Sequence, residues 1–170
     1  MLAGMANAAL PISTRRREIE VVYSEGGSFI GRYGNVLVGA STGQNSYEGL
    51  DASLQLHRRM RTEFPNGFAK IVITAGGARM PSADERTRIN RLAGEFARNT
   101  LAVALIFEGD GLWLSSMRMV TKAMMLAISR EFPQSIFATV PEGVQWLTQQ
   151  CGCSAEFEPR ALIEAIAAQR

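Results

Sequence analysis

The stretch Lys70–Arg91, KIVITAGGARMPSADERTRINR, most constrains what this chain can become. Lys70–Ala75 is apolar and β-branched, the composition of a short strand. Gly76-Gly77 breaks it. Ser82-Ala83-Asp84-Glu85 then has the spacing of a capping box, in which Ser and Glu each satisfy an orphan backbone N–H at a helix start. A strand that hands a loop to a helix N-terminus is where an α/β domain places its working parts.

The flanking sequence extends that pattern in both directions. Glu18–Ser24 alternates weakly, and Ser28–Tyr33 and Val36–Ser41 flank Gly34-Asn35, a turn pair that tolerates positive φ, so the chain opens with antiparallel strands. Ser46–Phe64 has helical periodicity, with Leu50, Leu54, His57, Met60 and Phe64 on one face, and Pro65-Asn66-Gly67 ends it. The helix that begins near Ala83 is expected to bury Ile89, Leu92, Ala93 and Phe96. Leu101–Phe107 is apolar throughout, as in a strand covered on both faces. Helical patterns over Leu112–Arg130 and from Pro141, a strand over Ser135–Val140 and a terminal helix from Pro159 complete the order. The reading is one α/β domain over residues 17–170, a mixed sheet with packed helices, an N-terminal hairpin and an extra C-terminal helix. Residues 1–16 read as a flexible tail.

The Leu112–Arg130 stretch carries more apolar surface than packing on a sheet requires. Trp113, Met117, Val120, Met124 and Ile128 form one stripe. Leu112, Met119, Ala123 and Leu126 form a second, about a third of a turn away, and Ser115, Arg118, Lys122 and Ser129 form a narrow polar edge with Met125 near it. A broad internal core would account for both stripes. Methionine-rich apolar faces also suit partner surfaces, so Leu112, Met119, Ala123, Met125 and Leu126 are candidate interface residues for a protein partner or a second copy, a homodimer.

Composition limits the chemistry. A net charge of +2 on 170 residues is not the concentrated basic face that duplex nucleic acid calls for. The N-terminus lacks the basic n-region of a signal peptide, and Arg118 and Lys122 interrupt the most apolar segment, so neither a leader nor a membrane span is expected. Cys151 and Cys153 are too close for an unstrained disulfide and have no further ligand beside them, so they read as reduced thiols in a cytoplasmic protein. His57 is the only histidine and lies on an apolar helix face; no local motif sets a nucleophile and an acid beside it. Gly76-Gly77 lacks the spacing and the Lys of a P-loop. No catalytic residue, metal site or cofactor motif emerges.

Three segments carry a resemblance: Gly34-Asn35-Val36-Leu37-Val38-Gly39, the strand into Ala75-Gly76-Gly77, and the ending Ile136-Phe137-Ala138-Thr139-Val140-Pro141-Glu142-Gly143-Val144-Gln145-Trp146-Leu147. With the order of elements between them, they resemble the STAS superfamily, specifically its SpoIIAA-like, anti-sigma-factor-antagonist branch. The resemblance implies a small mixed sheet with helices and a non-catalytic regulatory module that binds protein partners or small molecules. It also implies a regulatory loop at Gly76, Gly77, Arg79 and Ser82. Ser82 is the positional counterpart of the family's phosphorylated serine, although Pro81 stands where the family has Asp. The expected function is protein–protein association, including self-association; the alternative is a domain that binds a small apolar molecule or lipid.

Overall fold

The computed structural model describes residues 18–42, 46–75, 82–109, 115, 116, 119 and 132–170, with the backbone alone at Arg86, Ala93 and Cys153. Six strands form one mixed sheet in sequential order: β1 (Glu20–Glu25), β2 (Ser28–Tyr33), β3 (Val36–Ser41), β4 (Phe68–Thr74), β5 (Thr100–Phe107) and β6 (Gln134–Phe137). The first three strands run antiparallel through tight turns, and β3 to β6 run parallel. The parallel half needs crossovers. α1 (Tyr47–Glu63) joins β3 to β4, and α2 (Ala83–Ala97) joins β4 to β5. Sequential order with right-handed crossovers puts both helices on one face. After β6, α3 (Val140–Cys151), a 3-10 turn (Gly152–Ser154) and α4 (Pro159–Ala168) follow. α3 packs across β4, β5 and β6, and α4 packs on α3.

Strand periodicity sorts the side chains between the two faces. Val36, Val38, Ala69, Ile71, Ile73, Ala102, Ala104 and Ile106 point to the α3/α4 side and form the main core with Val144, Leu147, Leu162 and Ile166. Gly143 lets α3 approach β5 closely, since a Cβ there would sit 2.9 Å from Ile106 Cδ1. The other face is less filled. Leu37, Leu56, Met60 and Phe68 make a smaller cluster under α1, with Ile30 and Phe64 against it.

The expected α/β class, mixed sheet, opening hairpin and closing helix are all present. Differences lie at the ends of elements. The last strand stops at Phe137 rather than Val140, because Thr139 caps α3: its Oγ1 accepts from Glu142 N at 3.4 Å, and Glu142 Oε2 accepts from Thr139 N at 3.2 Å. That second capping box draws Val140 into the helix. The expected tail, residues 1–16, and the twin-striped segment 112–130, apart from positions 115, 116 and 119, lie outside the described residues.

The opening hairpin and the closing segment are joined across the whole length of the chain. Asn35, buried in the β2–β3 turn, donates from Nδ2 to Ser154 O at 2.7 Å and accepts at Oδ1 from Glu156 N at 2.9 Å. Beside it, Gly34 has φ +55°, and a Cβ there would meet Glu156 O at 2.4 Å. The turn pair therefore serves two ends of the chain.

Candidate ligand-binding cavity

α2 sits over the sheet on polar ties among the described residues. Arg58 of α1 grips Glu95 with two hydrogen bonds, at 2.5 and 3.1 Å. Arg88 pairs with Asp51 and lies 5.1 Å from the Tyr47 ring centre. At its C-terminal end, Phe96 meets His57 edge-on at 5.5 Å. These contacts hold the solvent side of α2 to α1. They leave its apolar side incompletely covered: Ile89, expected to be buried, is 36 % exposed, and Leu92 and Phe96 are half-buried.

Beneath lies a cavity of about 560 Å3 with mostly apolar walls. Its floor is the α1/α2 face of the sheet, with Leu37, Gly39, Val72, Val103 and Leu105 among its residues; Leu50 of α1 and Ile89 of α2 form walls. Val72, in the middle of a central strand, is 40 % exposed as a consequence. This volume is within the range of about 300–1,000 Å3 typical of small-molecule sites. A second concavity, of about 550 Å3, flanks β6 where Phe137 and Trp146 pack at 5.5 Å, and it is open to solvent.

Among the described residues, one cation lines the apolar cavity. Lys70 of β4 is 7 % exposed, donates to the Phe96 carbonyl at the end of α2, and sits 5.7 and 5.2 Å from the ring centres of Phe68 and Phe96. Burial pulls its pKa down to about 7. His57 is packed beside it, fully buried, 4.9 Å from the Phe68 ring centre. Neither ring nitrogen has a partner with hydrogen-bond geometry among the described residues. Burial first, then the charges of Lys70 and Arg61, depress the His57 pKa to about 4, with the backbone and the charge of Glu95 acting in the opposite direction. A neutral imidazole wedged between phenyl rings is a packing element.

The sequence-derived sites fall unevenly around this cavity. Ser82 forms the expected capping box: its Oγ accepts from Glu85 N at 3.2 Å, and Glu85 Oε2 accepts from Ser82 N at 2.5 Å. Glu85 also lines the cavity, so the cap marks its rim. Ser82→Ala should cost about 1 kcal/mol in urea unfolding; an unchanged midpoint would show that the hydroxyl is idle as a cap. Gly76, Gly77 and Arg79 lie outside the described residues, as do Leu112, Ala123, Met125 and Leu126. Met119 is described, and it is 73 % exposed. Cys151 is a free, buried thiol whose pKa burial raises. Among the described residues, no group of three His, Cys, Asp or Glu is placed to hold a metal ion, and no helix is long and apolar enough to cross a membrane.

Sequence reasoning passed over Lys70. Its signal was present: a lone cation inside Phe-Ala-Lys-Ile-Val-Ile, in a chain with only two lysines. No family model, curated protein or solved structure matches the chain.

Proposed function

We propose that this domain binds a small apolar molecule between its sheet and the α1/α2 layer, and that it acts as a binding module rather than as an enzyme. The observation that carries this reading is the apolar cavity of about 560 Å3 over the centre of the sheet. A void of that size under apolar walls forfeits packing that a ligand would restore. The order of elements from Tyr33 to Leu147 supports kinship with the STAS superfamily as part of the same proposal.

The neutral dye N-phenyl-1-naphthylamine tests it. Wild-type protein should bind the dye saturably at one site, with enhanced fluorescence. Gly39 supplies the control: it lines the cavity, and a Cβ there has nothing within 4 Å. Gly39→Phe should fill the space, abolish dye binding, and raise stability by about 1 kcal/mol, since glycine inside a strand is costly. Undiminished binding by Gly39→Phe would place the dye elsewhere and sink the reading.

A second reading, association through the apolar stripe that includes Met119, is favoured by that residue's exposure of 73 %. Light scattering on wild type and Met119→Arg decides it. A dimer that becomes a folded monomer supports an interface at this position; a wild-type monomer removes the reading.

A further inference from the structure

We infer that the ligand of this cavity is an apolar monocarboxylate whose acid group pairs with Lys70 Nζ; this rests on the cavity being a binding site. Three observations converge on the lysine. It lies on the floor of a cavity whose described walls are otherwise mostly apolar, with Glu85, held in the Ser82 cap, as the one described acid among them. It is 93 % removed from solvent, and among the described residues no carboxylate forms an ion pair with it. An ammonium has three N–H donors, and the described structure supplies one acceptor, the Phe96 carbonyl.

Capping α2 does not by itself call for this arrangement. A lysine at the rim of a helix end can reach the last carbonyls while keeping its head in water. Lys70 instead comes from the centre of a buried strand and brings its charge beneath the helix. A buried cation without a counter-ion is costly, and a carboxylate within hydrogen-bonding reach offsets that cost while forming a charge-assisted bond. The aliphatic remainder of such a ligand would lie along Val72, Leu105 and Ile89. An apolar alcohol would gain the same burial without the ion pair, and an amine would meet repulsion.

Displacement of N-phenyl-1-naphthylamine by decanoate, 1-decanol and decylamine, on wild type and Lys70→Met, tests the inference. In wild type, decanoate should displace the dye at a concentration about tenfold or more below that of decanol, with decylamine weakest. Lys70→Met should lose the preference for decanoate over decanol. Equal displacement by acid and alcohol in wild type, or a preference that survives in Lys70→Met, would overturn the assignment while the cavity reading stands. A wild type that binds neither dye nor decanoate would remove the cavity reading and this inference with it.

Discussion

Lys70→Met should raise the unfolding free energy by about 2–3 kcal/mol at pH 6.5, measured by urea denaturation. Methionine has a similar length, fills the same slot and carries no charge to desolvate. The variant gives up one hydrogen bond to the Phe96 carbonyl and two contacts with phenyl rings, which offset part of the gain. The pH dependence separates these contributions. Lys70 titrates near 7 in the folded protein and near 10.5 when unfolded, so between those values the unfolded chain holds more protons. Wild-type stability should therefore climb with pH across that window, by up to about 5 kcal/mol over its full width, and the climb should be absent in Lys70→Met. A variant less stable than wild type would show that the ammonium is a net structural asset at the end of α2.

His57 works in the same direction on the acid side. Its folded pKa near 4 lies below the unfolded value near 6.5, so stability should fall as pH drops through that interval, by about 3 kcal/mol in all. The two windows barely touch. Lys70→Met removes the upper one and also one of the two cations that depress His57, so the lower window should narrow slightly.

Gly34→Ala should destabilise the fold by about 3 kcal/mol. A residue with a side chain at φ +55° costs roughly 1 kcal/mol. The rest comes from forcing Glu156 O away from a Cβ that would lie 2.4 Å from it. Asn35→Ala should cost a similar amount by a different route, since it strands the Ser154 carbonyl and the Glu156 amide, at about 1–3 kcal/mol for each group left without a partner. The double variant should cost well short of the sum, because either change alone displaces residues 154–156. Full additivity in chemical denaturation would show the two contacts to be independent.

Much of this architecture can be read from local chemistry. Gly34-Asn35 announces a hairpin, Pro65-Asn66-Gly67 ends α1, and Ser82 with Glu85 starts α2. What periodicity could not supply is the distance between layers. Ile89, Leu92 and Phe96 have the spacing of a buried face, yet Ile89 is exposed, and the ties that join α2 to α1, Arg58–Glu95 and Arg88–Asp51, link residues 37 apart. The cavity lies between those helices and the sheet. Lys70 is visible in the sequence as a lone cation in an apolar strand, but it gains meaning only when the space above it is known. The second function of Gly34-Asn35, gripping residues 154–156, is invisible from the turn itself.

That grip also bears on how the molecule is made. A ribosome delivers Asn35 long before Ser154 and Glu156, which lie 119 and 121 residues further along. Until they emerge, the Asn35 amide has only water for company, and α4, which completes the main core beside α3, is still missing. A chain that stalls or is clipped near residue 139 would hold all six strands with one sticky side. Such a fragment is a substrate for chaperones and proteases rather than a smaller working domain.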